Sequence, residues 1–412
     1  MKMIQRTLFN RIYFSLPKNI WLGYHNKFSS DVIKGKDNNT ESIKESVNNT
    51  ESTYDTEEVS HLLKESATYN NTGDTNWVTT PYPEGVPIPD EKKPKVDPKT
   101  TSILLFPGQG VIKVGMIKKY MHFPAVKELF EIANEILNYD LLKICLNGPE
   151  EKLNRTEFNQ IATVISSLAA LEKVREERPS VFETCVATAG YSVGEITSLI
   201  LSGVITFEDG VRLTHVRGKA MQYASDKVSQ GMLSITCTPN TEVSKACIEA
   251  KKWAMEMGVE QPVCQVAIYL CTERKILAGN IQALDYIEKN KELFGLGNVS
   301  RLPVSGAFHT ALMEPALKSV GKMLDSIEIH EPRCQVYSNC KAQPYNSNLK
   351  YAKKYICKQI ILPLKWEQCI QRIYNRPLDT EFPHTYDIGS AGRMKTILKL
   401  INAKASLSCT VI

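Results

Sequence analysis

From residue 101 onward the apolar positions fall into two alternating patterns: short unbroken runs, and longer stretches with helical spacing. Ser102 to Phe106 (SILLF) is unbroken and closed by Pro107-Gly108, which predicts a buried strand. Helical spacing follows over Ala125 to Leu137 and over Thr163 to Arg175. Thr184 to Ala189 (TCVATA) predicts a second buried strand, running into Gly190-Tyr191-Ser192-Val193-Gly194 and then a helix over Glu195 to Leu201. Strand, tight turn, helix is the arrangement of a parallel sheet.

After Met221 the pattern changes. Strands are predicted over Met232 to Cys237, Val263 to Leu270, Lys275 to Ala278 and Val299 to Val304, with helices over Glu242 to Met257 and Ile281 to Phe294. The order βαββαβ is the ferredoxin-like split unit. Its last strand leads into Ser305-Gly306-Ala307-Phe308-His309, so it is expected as an insertion in a larger sheet that resumes at Gln335 to Tyr337 and Thr385 to Ile388. The expected fold class is α/β: an α/β-hydrolase-like parallel-sheet core over 101–229 and 305–404, with an inserted ferredoxin-like subdomain over 230–304.

Charge locates the segments ahead of this domain. Residues 1–30 hold five basic residues (Lys2, Arg6, Arg11, Lys18, Lys27) and no acid, with Leu8, Ile12, Phe14 and Leu16 interleaved. This is the pattern of a basic amphipathic transit peptide, and a mitochondrial address is expected. Residues 31–100 carry 14 acidic and 8 basic residues, a near-repeat of Asn-Asn-Thr-Glu-Ser at Asn38 and Asn48, and a Pro-rich run from Pro81 to Pro98. That composition predicts a disordered polar linker. With +5 in the leader and −6 in the linker, the chain's formal +5 leaves about +6 on residues 101–412, which suits acidic ligands. Nucleic acid is not expected, because no Lys/Arg run with interleaved aromatics occurs. Hydrophobic residues at 42% and charged residues at 23% exclude collagen-like and wholly disordered chains, and no apolar run reaches membrane-spanning length. The eleven Cys are scattered without C-x-x-C or zinc spacing, so no metal site is expected and the thiols read as reduced.

Gly190-x-Ser192-x-Gly194 between a strand and a helix has the context of a nucleophile elbow. The turn exposes the Ser192 hydroxyl, and the N–H of Val193 points where an oxyanion develops. A base is needed, and the domain offers His122, His215, His309, His330 and His384; His309, behind Gly306 and after a predicted strand, leads modestly. No acidic third member is obvious; Asp387 ends a strand, and a backbone carbonyl can also orient a histidine. Phe106-Pro107-Gly108-Gln109-Gly110 is a Gly-rich turn without P-loop spacing, and Arg217 is a carboxylate clamp only if its surroundings make it one.

Together these residues resemble the malonyl-CoA:acyl carrier protein transacylase family, closely its mitochondrial branch, over about residues 101–404. Phe106-Pro107-Gly108-Gln109-Gly110 is similar to the opening motif, whose Gln N–H is the second oxyanion donor. Gly148-Pro149-Glu150 and Leu153-Asn154-x-Thr156 lead to Gln160, the substrate-site glutamine. The resemblance makes Ser192 the acyl acceptor, His309 the base, Arg217 the partner of the malonyl carboxylate, Phe308 the residue that leaves little room for an alpha-methyl group, and Gln359 the residue whose carbonyl orients the histidine. Tyr191 stands where many bacterial relatives have His. Two departures fall at Ala267-Ile268-Tyr269-Leu270, where the family often has Asn, and at Gly389-Ser390-Ala391-Gly392, in place of a Gly-Pro-Gly turn.

The resemblance implies malonyl transfer from malonyl-CoA to the phosphopantetheine thiol of acyl carrier protein, in the mitochondrial matrix, by a monomer, without metal or redox cofactor. Two alternatives use the same residues differently: an acyl-CoA thioesterase or serine hydrolase, and a non-catalytic scaffold for carrier protein.

Overall fold

The computed structural model describes residues 96–345, 351–377 and 379–412. The expected leader and residues 31–95 of the expected linker lie outside the described residues. A 3-10 turn at Pro98–Thr100, where Asp97 accepts the Lys99 N–H at 3.0 Å, leads into the first strand.

In chain order the first elements that build the site are β1 (Ser102–Phe106), α1 (Pro124–Leu137), α2 (Thr156–Glu177), β2 (Cys185–Gly190), α3 (Gly194–Leu201) and α4 (Phe207–Ser225). There follow β3 (Gln230–Cys237), α5 (Val243–Glu256), β4 (Cys264–Cys271), β5 (Arg274–Asn280), α6 (Ile281–Lys289) and β6 (Leu296–Arg301). The chain continues with β7 (Gln335–Ser338), β8 (Gln343–Pro344), α7 (Trp366–Ile373), β9 (His384–Asp387), α8 (Arg393–Ile401) and β10 (Cys409–Val411).

One sheet has the order β10-β9-β1-β2-β7-β8 and is parallel except for the short β8. Every residue of β1 is buried, with β9 on one side and β2 on the other, which is why its sequence runs apolar without alternation. Phe106 pairs with Gly190 and Leu105 with Asp387, so the loops after β1, β2 and β9 leave from one edge of the sheet. In open parallel sheets that carboxyl edge is where ligands bind.

The second sheet, β4-β5-β3-β6, is antiparallel throughout. Helices α5 and α6 share one core with it, formed by Ala246, Ala250, Leu284 and Ile287 against Leu233, Leu277 and Leu296. Each fully buried Leu or Ile there contributes about 1.5–3 kcal/mol. The fold is therefore mixed α/β with a parallel sheet, as the alternation of runs predicts.

Several boundaries differ from expectation, each for a physical reason. Helix α2 begins at Thr156, well before the periodic stretch at Thr163, because Thr156, Asn159 and Gln160 are polar yet buried and break the apolar rhythm. Strand β6 ends at Arg301, so His309 sits in a loop rather than directly after a strand. The helix expected to reach Phe294 ends at Lys289 and tightens into a 3-10 turn over Lys291–Phe294 before left-handed Gly295. The core also extends past residue 404: β10 adds a parallel edge strand to β9, and the Ile412 N–H donates to the Asp387 carbonyl at 3.0 Å. Three residues without alternation give no strand signal in the sequence.

Candidate active site

Strand β2 ends in a turn too tight for side chains at its glycines. A Cβ on Gly190 would lie 1.9 Å from the Gly194 carbonyl, and one on Gly194 would lie 2.4 Å from the Pro107 oxygen. Between them Ser192 takes φ 54, the left-handed region that a non-glycine residue enters only at a cost of about 1–3 kcal/mol. The turn is held from outside: the Ser192 N–H donates to Asn339 Oδ1 at 2.8 Å, and Asn339 Nδ2 donates to the Gly190 carbonyl at 2.9 Å. The hydroxyl is thereby fixed at the carboxyl edge of the sheet.

His309 also has positive φ, 65. Its N–H donates to the Ile360 carbonyl at 3.0 Å, and Nδ1 lies 2.7 Å from the Gln359 carbonyl. A carbonyl only accepts, so Nδ1 carries the proton and Nε2 is left as the acceptor. Nε2 lies 2.9 Å from Ser192 Oγ, so the hydroxyl donates to it. Burial, helped by the Arg217 charge, pushes the His309 pKa down to about 3. The imidazole is a neutral acceptor at physiological pH.

Arg217 comes from α4, which is capped by Thr206, whose hydroxyl accepts the Asp209 N–H at 3.1 Å. The guanidinium donates from Nη1 to Gln160 Oε1 at 2.6 Å, and from Nη2 to Gln359 Oε1 at 2.8 Å and Ser192 Oγ at 3.3 Å. Gln160, Arg217, His309 and Gln359 are each at most 3% exposed. Burial pulls the Arg217 pKa down to about 10, still well above neutrality. A buried arginine held only by neutral side chains and a hydroxyl is matched to an anion.

Gln109 is anchored by its side chain, which donates to Thr156 Oγ1 at 3.2 Å and accepts from Gln160 Nε2 at 3.4 Å. The next N–H, of Gly110, donates to Asn159 Oδ1 at 2.9 Å. The polar first turn of α2 therefore fixes the loop after β1. Val193 is fully buried at the start of α3. Phe308 is buried beside His309, its ring turned toward Gly306, where a Cβ would meet it at 2.5 Å. The structure thus joins Ser192, His309, Arg217, Gln160, Gln359 and Gln109 in one hydrogen-bonded group.

Residues 103–380 match the acyl transferase domain family. Over 322 residues the chain is 45% identical to the probable mitochondrial malonyl-CoA-acyl carrier protein transacylase of Drosophila melanogaster, covering 78% of this chain and 85% of that one. It is 41% identical over 308 residues to the mitochondrial transacylase of Homo sapiens, covering 75% and 79%. The chain belongs to the malonyl-CoA-acyl carrier protein transacylase family. Among solved structures it resembles the transacylase of Coxiella burnetii, with TM-score 0.67 and 25% identity over 77% of this chain and 95% of that one. It is equally similar to a malonyl-transacylase solved with a type II polyketide acyl-carrier protein, with TM-score 0.66 and 25% identity over 76% and 94%.

Within this transacylase-family site, sequence reasoning assigned no role to three residues. Glu195, 1% exposed, accepts from the Asn339 N–H and Gln359 Nε2, both at 2.9 Å, and from the Tyr345 hydroxyl. Asn339 and Tyr345 lie far along the chain, and only the fold brings them to Glu195. Asp387 is engaged elsewhere: it accepts from the Ser390 hydroxyl and, at 3.0 Å, the Lys395 N–H at the start of α8. The orienting group on His309 is the Gln359 carbonyl.

At the first departure from the family pattern, Ala267 and Ile268 are buried and tie β4 to Leu364, whose N–H donates to the Ala267 carbonyl at 2.9 Å. At the second, Gly389, Ala391 and Gly392 all have positive φ. Among the described residues no cluster of His, Cys, Asp or Glu is placed to hold a metal ion, and no helix is long and apolar enough to cross a membrane.

Proposed function

We propose that this chain transfers a malonyl group from malonyl-CoA to the phosphopantetheine thiol of an acyl carrier protein, through a malonyl ester on Ser192. The observation that carries this reading is the buried Arg217 guanidinium 3.3 Å from a serine oxygen that is itself 2.9 Å from a neutral histidine. A nucleophile with a cation beside it is built for an acyl group ending in a carboxylate.

In the first half-reaction Ser192 Oγ forms a bond to the thioester carbon as its proton passes to His309 Nε2. The oxyanion is stabilised by the N–H groups of Gln109 and Val193. The C–S bond then breaks, and the CoA sulfur leaves with the proton from His309. Arg217⁺ disfavours a lasting imidazolium, so His309 returns that proton readily. In the second half-reaction the carrier thiol gives its proton to His309, sulfur attacks the ester carbon, and Ser192 Oγ leaves and regains the proton. Substrates and the chain's own residues balance every proton, and the steps as written call on no redox or metal cofactor. Arg217 donates to Gln160, Gln359 and Ser192 within the chain, so the malonyl carboxylate is received by exchange of these bonds beside the nucleophile, with Gln160 and Phe308 bounding the acyl group.

The chemistry as written needs no group from a second copy, and a monomer is the reading proposed; sedimentation tests that. The mitochondrial relatives and the basic leader support the matrix, which protease protection of the tagged protein in isolated mitochondria tests. We further read residues 230–304 as an inserted ferredoxin-like subdomain.

The direct test is to incubate the protein with malonyl-CoA, then acetyl-CoA, and locate any mass gain by peptide mass spectrometry. A malonyl adduct on Ser192 that carrier-protein thiol discharges supports the transfer. Release of CoA without a lasting adduct favours a hydrolase, and carrier binding without any reaction favours a scaffold.

A further inference from the structure

Of the buried acids that the proposed chemistry does not use, Glu195 lies nearest the nucleophile along the chain. It lies on the first turn of α3, just past the nucleophile, and touches neither Ser192 Oγ nor His309. We propose that Glu195 is a specificity-positioning residue: its carboxylate, acting through the side-chain amide of Gln359, holds Arg217 in the orientation that receives an acyl carboxylate. The assignment rests on the transacylase reading above.

The argument starts from donor and acceptor capacity. An ionised carboxylate only accepts hydrogen bonds, and a guanidinium only donates them. The Gln359 amide stands between the two, giving Nε2 to Glu195 Oε2 at 2.9 Å and Oε1 to Arg217 Nη2 at 2.8 Å. Turning the amide over would set its NH2 against the guanidinium and its oxygen against the carboxylate, so both neighbours would repel it. The two charges therefore fix a single orientation of Gln359. The carboxylate cannot turn away, because Asn339 N–H shares Oε2 at 2.9 Å and the Tyr345 hydroxyl holds Oε1. Gln359 Nε2 also reaches the Ser192 carbonyl at 2.9 Å, which pins the same side chain to the nucleophile turn. Burial pushes the Glu195 carboxyl up, opposed by the hydrogen bonds from Tyr345, Asn339 and Gln359 and by the Arg217 charge, and the ionised carboxylate in turn favours the charged form of Arg217, against burial, before any substrate arrives.

The test uses the full chain and single-turnover acylation of Ser192, read by intact mass spectrometry with malonyl-CoA and with acetyl-CoA. Glu195→Gln keeps the shape, removes the charge and weakens the hold on Gln359 Nε2, while Arg217 and the Ser192 carbonyl still set which way the amide faces. The expected result is malonylation slowed about tenfold, the order of one charge-assisted hydrogen bond, with acetylation changed less than about threefold. In an Arg217→Gln background the same substitution is expected to change neither rate by more than about threefold, because the relay has lost its end point. Glu195→Asp, which keeps the charge but draws it back from Gln359, is the second variant and should lower the malonyl preference in the same way. Rates are referred to the fraction of protein that acylates, so a less stable variant is still read. Equal losses on both substrates, or an unchanged preference with only a lower melting temperature, would overturn the assignment and leave Glu195 a packing residue. Wild-type protein that takes up no malonyl overturns the transacylase reading and this assignment with it. Wild-type malonylation with an unaltered preference in the variants overturns the assignment alone.

Discussion

Two side chains at the site carry opposite instructions from the same burial. His309 is kept neutral and Arg217 stays charged, so one accepts a proton while the other waits for an anion. Because the His309 pKa is lowered to about 3, its base form does not titrate near the usual 6.5. Ser192 acylation should therefore stay flat from about pH 8 to about pH 5, where a histidine of ordinary pKa would lose about 30-fold. Rapid-quench rates of malonyl-enzyme formation check this, and a limb centred near 6.5 would refute it. The sign for stability follows: unfolded His309 binds a proton as pH falls below about 6.5 while the folded residue does not, so its stabilising share is full above that range and lost toward about pH 3. Arg217→Ala should slow malonylation by about 100-fold or more and leave slow acetylation nearly intact, whereas a hydrolase of neutral esters would lose nothing on either substrate.

At the scale of elements, the packing of loops on strands sets the site. The 2.4 Å approach of a Gly194 Cβ to the Pro107 oxygen makes the β2–α3 turn and the β1 loop a single fitted pair. Gly194→Ala should cost about 1–3 kcal/mol in urea melts and slow acylation more than it lowers stability would explain, since relief of the clash moves the Gln109 loop. This is also where the sequence was most and least informative. The β1 and β2 runs and the G-x-S-x-G turn were legible because each is local: an unbroken apolar run, then glycines where side chains do not fit. The first turn of α2 was not, because Thr156, Asn159 and Gln160 are buried for their polarity and so erase the helical rhythm. Gln359 entered through family resemblance alone, and the task of Asn339 depends on a turn 147 positions away. β10 is too short to show a period, yet it covers one edge of β9; removing residues 408–412 should lower the melting temperature and promote aggregation through that edge, measured by light scattering on heating.

On the scale of the whole molecule, the two sheets meet at the loop that carries His309. Gln230, at the start of β3, accepts the Ala307 N–H at 2.8 Å and donates to the Ala224 carbonyl at the end of α4, at 2.9 Å. One buried amide thus ties the Arg217 helix, the antiparallel sheet and the histidine loop. Gln230→Leu leaves the Ala307 N–H unpaired, while the Ala224 carbonyl keeps the Lys227 N–H at 3.4 Å, and should cost about 1–3 kcal/mol with slower acylation; denaturant melts and single-turnover rates check both. The sheet order carries one more consequence. β1 is one of the two middle strands, yet one of its neighbours is β9, so Ser102 must find His384 across nearly the whole domain. A chain that emerges from a ribosome or is threaded through a pore from its amino end presents SILLF long before that partner exists. This strand at the middle of the sheet is therefore enclosed only once β9 has arrived, and handling this protein in the cell means guarding its first apolar run until nearly all the rest has come through.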